Sequence, residues 1–166
     1  MNKTQTMVKG ALLAALTTVA TMVIHIPSPT NGFVNLGDCF VLLAGWLLGP
    51  FWGFLAGGIG SAMADMLLGY THYVPGTFII KGLTALIAAV VFEKLKGKGF
   101  TSLIVSSVVG EAEMVLGYFL FASLILGKGM ARALSIPGNV FQATVGIIAG
   151  IALYKVAEKT GMNKGK

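Results

Sequence analysis

Residues 35–83 read NLGDCFVLLAGWLLGPFWGFLAGGIGSAMADMLLGYTHYVPGTFIIKGL, an apolar text interrupted by Asp38, Asp65, His72 and Lys81. Ionisable side chains in apolar surroundings of membrane length are costly. They face a protein interior or a water-filled cavity, where they mark a solute or ion path. The glycines between them allow helices to approach closely. The stretch therefore predicts a membrane-embedded helical bundle that handles a small polar molecule.

The rest of the chain agrees. Of its 166 residues, 55% are hydrophobic and 11% charged, where a soluble domain carries roughly 25% charged residues. That leaves one membrane domain, residues 1–166, without room for a soluble appendage. The net charge of +6 is distributed as Lys3 and Lys9 before the first apolar run, Lys94, Lys96 and Lys98 in one loop, and Lys155, Lys159, Lys164 and Lys166 at the end. This is the positive-inside pattern. No basic patch is interleaved with aromatics as in single-strand binders, so nucleic acid is not an expected partner. Cys39 is the single cysteine, which excludes an intrachain disulfide and a cysteine-spaced zinc site; it reads as a small packing residue. The first apolar run follows lysines but lacks a small-residue cleavage site, and five more apolar segments follow, so it reads as a retained helix rather than a signal peptide.

A spanning helix needs about 20 mostly apolar residues. The spans predicted are 8–26, 38–49, 51–69, 76–95, 100–126 and 136–157, the second short and cut from the third by Gly49-Pro50. The fold class is therefore an all-α integral membrane protein with six transmembrane helices. An even number of spans puts both termini on one side, and the lysines make it cytoplasmic. Loops 27–37, 70–76 and 127–135 then face outward, and no strand alternation emerges. Pro75 and Pro137 stand in the first turn of a helix, where a missing N–H is harmless.

Orientation converts position into depth, at about 1.5 Å per residue. Lys81 shares a face with Thr77, Thr84, Ala85 and Ala88 in the outer half of span four; Glu111 stacks below Met114 and Tyr118 in span five; Asn139 and Gln142 share a face near the mouth of span six, above Gly146. With Asp65 in the outer part of span three, these groups can line one outward-facing pocket with apolar walls and few polar groups. Lys81 and Asp65 are read either as an interhelical salt bridge or as part of that pocket. Glu111 and Glu113 point to different faces, and the alignment with Tyr118 selects Glu111 for the pocket. Asn139 and Gln142 contact the ligand or act as interhelical glue. His72, between Tyr70 and Tyr73, reads as an interfacial anchor rather than a metal ligand, since no second histidine stands at ligand spacing. Trp46 and Trp52 read as belt or packing residues. Asp38 stands where the outer loop becomes span two, suited to a helix N-terminus, and reads as a cap that holds the loop. Gly53, Gly57, Gly60 and Ala64 give span three a smooth face for internal packing, whereas Ala11 and Ala15 give span one a surface for another subunit.

These features resemble the substrate-binding S component of energy-coupling factor (ECF) vitamin transporters. The resemblance covers nearly the whole chain. It is carried by NLGD at 35–38, AGWLLGP at 44–50, GGIGSAMAD at 57–65, PGTFIIKGL at 75–83 and IPGNVFQ at 136–142. The order of blocks is most similar to the branch named after riboflavin transport, whose members differ in substrate. The resemblance implies six helices and a vitamin or precursor bound near the outer face. Carried onto this chain, the site comprises Asn35 and Asp38, Lys81, Glu111 and Tyr118, and Asn139 and Gln142. It also implies that Ala11-x-x-x-Ala15 contacts a transmembrane T component driven by two ATPase subunits, in a bacterial plasma membrane. No cofactor and no metal are implied, and the chain has no P-loop of its own.

The function expected is therefore a membrane substrate-binding subunit of a vitamin importer. A site with both charge signs, amides and an aromatic plane suits a small hydroxylated heteroaromatic, first a vitamin B6 form or a hydroxymethylpyrimidine, with riboflavin and pantothenate also open. The alternative is a stand-alone proton-coupled carrier with Asp65 and Glu111 as relay, although such carriers often show duplicated halves and no repeat is present. A membrane enzyme lacks a nucleophile–base pair or metal cluster.

Overall fold

A computed structural model describes residues 2–28, 32–95 and 99–161. The lysines at 96, 98, 164 and 166 lie outside the described residues, as does Pro29. Six α-helices account for most of the chain: α1 (Lys3–Val23), α2 (Asp38–Leu48), α3 (Pro50–Leu67), α4 (Val74–Lys94), α5 (Phe100–Leu120) and α6 (Ile136–Lys159). A π turn, Phe121–Ile125, extends α5, and a 3-10 helix, Gly129–Ser135, leads into α6. Four of these are long and apolar enough to cross a membrane: α1, α4, α5 with its π turn, and α6 with its 3-10 lead.

The termini of the helices have local causes. Asn2 caps α1, its side chain accepting from the Gln5 N–H at 2.8 Å while the Gln5 side chain accepts from the Asn2 N–H. This reciprocal cap starts the helix five residues before the apolar run from which the first span is predicted. Prolines at 50, 75 and 137 stand in the first turns of α3, α4 and α6. Between α2 and α3, Gly49 has φ +83°, a conformation open to glycine at little cost, and the chain reverses there.

The expected outer loop is not wholly irregular. β1 (His25–Ser28) and β2 (Gly32–Asn35) pair antiparallel, with His25 opposite Asn35 and Ile26 opposite Val34. The fold is helical as expected, and a small hairpin is added among the described residues. Four-residue strands, one containing Pro27, are too short to show alternation.

At 11 residues, α2 extends about 16 Å, roughly half the hydrocarbon thickness. It does not face lipid. All of it except Phe40 is buried, packed against α1, α3, α4 and α6. Small residues make this possible. A Cβ on Gly53 would stand 2.8 Å from the Gly45 Cα, and one on Gly60 would stand 2.5 Å from the Ala14 carbonyl, so α3 lies against both α2 and α1 at backbone contact. The smooth face of α3 is internal packing. Trp46 belongs to the core, its Nε1–H donating to Ser106 Oγ at 3.0 Å, with Tyr154 edge-on at 5.6 Å. By contrast Ala11 and Ala15 are exposed, among Val8, Leu12, Leu16 and Val19. Apolar side chains such as Phe51, Ile79, Val108, Leu124 and Ile148 continue that exposure around the bundle, as a lipid-facing surface requires.

Candidate functional site

Seven elements converge at the end of the bundle away from both termini: the last turn of α1, β2, the C-terminal part of α3, the first turns of α4, the last turns of α5, the 3-10 helix and the first turns of α6. Between them lies an open cleft, about 500 Å³ when the space at its mouth is included, with few polar groups in its wall as small-molecule sites have.

Its walls are organised by one chain of polar contacts. In β2, the Asn35 N–H donates to Gln142 Oε1 at 2.9 Å and its Nδ2 to the same oxygen at 3.3 Å. Asn35 Oδ1 accepts from the Gly37 N–H at 2.8 Å, the local turn that asparagine favours. Gln142 passes the connection on, its Nε2 donating to Asp38 Oδ2 at 2.7 Å. The other oxygen of Asp38 is ion-paired with Lys81 Nζ. Lys81 lies over the Tyr118 ring at 5.5 Å, Tyr118 Oη donates to Thr77 Oγ1 at 3.0 Å, and Thr77 donates to Asp65. The hairpin, α6, α2, α4, α5 and α3 are joined in that order.

Both members of the ion pair are buried, Asp38 at 0% and Lys81 at 2% exposure. Two charges leaving water cost several kcal/mol each, offset only where geometry and further hydrogen bonds are good; Gln142 and the Tyr118 face supply these. Of the two readings of Lys81 and Asp65, the bridge does not form, since Lys81 pairs with Asp38, and both residues line the cleft. Buried α2 presents its first residue to Lys81, whereas Asp65 stands one turn nearer the mouth, level with Thr77. Asp38 caps no helix by its side chain; it is the centre of the network.

Of the residues expected at the site, Asn35, Lys81, Tyr118, Asn139 and Gln142 line the cleft. Asp38 stands behind its wall, held by Lys81 and Gln142. Glu111 does not reach the wall. It is 1% exposed, its carboxylate oxygens have no hydrogen-bond partner among the described residues, and it meets Asp38 across Gly146, where a Cβ would lie 2.7 Å from Asp38 Cβ and 3.6 Å from Glu111 Oε1. The alignment of Glu111 with Tyr118 is real along the helix, but the two differ in depth by about two turns. Glu113 takes a bond from Thr84 Oγ1 at 2.9 Å instead. Asn139 Nδ2 is buried without a hydrogen-bond partner among the described residues, in the cleft wall.

Thr21, Phe33, Ser61, Tyr73 and Arg132 also line the cleft and were not anticipated. Phe33 packs on Tyr70 at 4.9 Å, which needed the hairpin to be foreseen. Arg132 is the single arginine of the chain and is 5% exposed; its only signal was its rarity. His72 stacks on Tyr73 at 4.6 Å.

The family described as ECF-type riboflavin transporter, S component, matches residues 1–159. The chain belongs to this family. A protein of Pyrococcus woesei, described as the uncharacterized protein in gap 3′ region, is 37% identical over 146 residues, covering 86% of this chain and 94% of its own. The thiamine precursor transporter HmpT of Lactococcus lactis subsp. cremoris is 27% identical over 164 residues, covering 95% and 93%. Among solved structures, the S component of a bacterial ECF transporter superposes with TM-score 0.71 at 21% identity, covering 96% of this chain and 98% of the other. An S component for biotin from an ECF-type ABC transporter gives TM-score 0.60 at 20% identity, covering 93% and 95%. The fold is that of these S components. The S component is a membrane-embedded transport subunit for vitamin or precursor uptake and not an enzyme, and its polar network lies where seven elements of that fold meet.

Proposed function

We propose that the chain is the high-affinity substrate-binding subunit of an ECF-type importer, and that the cleft takes a vitamin B6 form or a hydroxymethylpyrimidine. The observation that carries this is the cleft itself: a small volume with Tyr118 and Phe33 as aromatic surfaces and the Asn139 amide, Thr77 and Lys81 as polar groups at its wall. A hydroxylated heteroaromatic ring offers matching donors, acceptors and a π face. The 27% identity with a thiamine precursor transporter supports the pyrimidine reading. Asn139 Nδ2 is the donor for the ring substituents, Tyr118 packs on the ring, and Asn35, Asp38 and Gln142 hold the wall in shape.

In this reading six helices, the half-length α2 enclosed among the others, embed the chain in a bacterial plasma membrane with both termini cytoplasmic, and the cleft opens outward. The α1 surface at Ala11 and Ala15 meets the transmembrane T component, and two ATPase subunits supply the energy. The lysines at both termini support that orientation.

Mass spectrometry of small molecules released by denaturing freshly purified protein tests the proposal. A stoichiometric pyridine or pyrimidine vitamin is expected. Riboflavin or pantothenate in its place would overturn the substrate class. A protein that neither carries nor is thermally stabilised by any water-soluble vitamin would overturn the whole reading.

A further inference from the structure

Among the described residues, one carboxylate lines the cleft: Asp65, in the last turn of α3 and 4% exposed. Its Oδ2 accepts from the Thr77 hydroxyl, which itself accepts from Tyr118 Oη at 3.0 Å. Side chains of α4 and α5 thus hold the carboxylate from one side. No hydrogen bond from the described residues reaches its other oxygen, Oδ1.

Neighbouring groups in the wall are engaged. Gln142 Oε1 receives the Asn35 N–H, Asn35 Oδ1 the Gly37 N–H, and Thr77 Oγ1 the Tyr118 hydroxyl, while the Lys81 ammonium is held by Asp38. The cleft therefore presents a carboxylate oxygen as an open acceptor and Asn139 Nδ2 as an open donor. An unmet buried acceptor is costly, and a carboxylate forms the stronger, charge-assisted bonds. A ligand that completes this wall brings N–H groups to Asp65. An aromatic amino group beside a ring nitrogen does so with two atoms. The amino N–H donates to one carboxylate oxygen, and a single proton between the ring nitrogen and the other oxygen makes the second bond. A carboxylate has lone pairs enough for both and for Thr77. The pyridine ring of vitamin B6 carries no amino group beside its nitrogen and offers no such edge.

We propose that Asp65 is a specificity-determining residue of the cleft and selects an aminopyrimidine by pairing with its amino group and the adjacent ring nitrogen. The inference rests on the substrate-binding reading above and narrows it to the amino-substituted pyrimidine. The amino edge turns to α3, the ring packs on Tyr118, and the hydroxymethyl oxygen is left for Asn139.

Titration calorimetry on the purified chain in detergent compares 4-amino hydroxymethylpyrimidine, its analogue with hydrogen in place of the amino group, its 4-oxo analogue, and pyridoxine. The wild type is expected to bind the amino ligand at least about tenfold tighter than the others, the range of a hydrogen bond to a charged group. A site built for an N–H rejects an analogue that lacks it. Asp65→Asn keeps an acceptor for Thr77 and turns one carboxylate oxygen into a donor. Its amide matches the N–H and carbonyl edge of the 4-oxo ligand, so the order of the amino and oxo ligands inverts. Asp65→Ser, whose hydroxyl both donates and accepts, is expected to bind those two alike, and it stands in if Asp65→Asn does not melt cooperatively. A purely structural role for Asp65 would weaken all ligands together. Equal binding of the amino ligand and its hydrogen analogue by the wild type, or tighter binding of pyridoxine, overturns the assignment and leaves the substrate-binding reading standing. So does an amino preference that survives in a variant, or parallel loss of all ligands in a folded one. Binding of none of the panel by the wild type overturns both.

Discussion

Lys81 and Asp38 form a pair that neither residue could hold alone at such depth. With Lys81→Met the Asp38 carboxylate keeps only the Gln142 Nε2 contact at 2.7 Å, and breaking a buried pair by removing one partner costs about 3–5 kcal/mol. Removing both charges in Lys81→Met with Asp38→Asn leaves neither member of the pair as an unpaired ion. The double variant is therefore expected to melt above the single Lys81→Met variant in detergent, and additive losses would show that the two are not coupled. Both residues were visible in the sequence as costly charges in apolar text, but their pairing was not. Helical spacing orders residues along one helix, as it did for Thr77 and Lys81. It says nothing about which neighbouring helix faces them, and so Asp65 was a candidate partner for a residue that Asp38 holds. The same gap explains Glu111, which lies too deep for the wall it was assigned to, and Arg132, which lines the cleft from the segment before α6 and was assigned to no site.

Gln142 of α6 hydrogen-bonds the hairpin to the bundle. Gln142 accepts from the Asn35 backbone N–H while its own amide holds Asp38, so the edge of the cleft is fastened to the buried ion pair. In Gln142→Ala the Asn35 amide loses its acceptor, a net loss of about 1 kcal/mol. Its hydrogen exchange should rise about fivefold, with exchange in the buried parts of α2 and α4 changed less. An Asn35 amide that keeps its wild-type protection would mean that the hairpin is held by other contacts, such as Phe33 on Tyr70. At this scale the helices with proline in the first turn were legible to within one or two residues, because proline marks a start by its own stereochemistry. The start of α1 was not, because its cap lies in polar sequence ahead of the apolar run. Nor was the burial of α2: composition alone cannot distinguish a half-length helix wrapped by protein from a short span.

Across the whole molecule, the apolar surface is of two kinds. Bulky side chains of α5 and α6 suit lipid tails, while on α1 the pair Ala11 and Ala15 opens a shallow, exposed face between Val8, Leu12 and Val19. Lipid fills either surface, but a helix of another subunit approaches closely only where side chains are small. Thr17, Thr18 and Thr21 turn into the bundle, Thr18 bordering the alanine face and donating from its Oγ1 to the Gly60 carbonyl at 2.8 Å, while Ala11 and Ala15 themselves stay exposed. Ala15→Trp places a large ring on that face, remote from the cleft at the far end of the bundle. In cells that depend on this importer, Ala15→Trp is expected to abolish uptake while purified protein binds its ligand as tightly as wild type. Ala15→Leu, matching the bulk of its neighbours, should fall between them. Full uptake by Ala15→Trp would mean that the partner subunit docks elsewhere. Loss of ligand affinity in the same variant would mean that the α1 surface and the cleft communicate through the Thr18–Gly60 contact rather than acting independently.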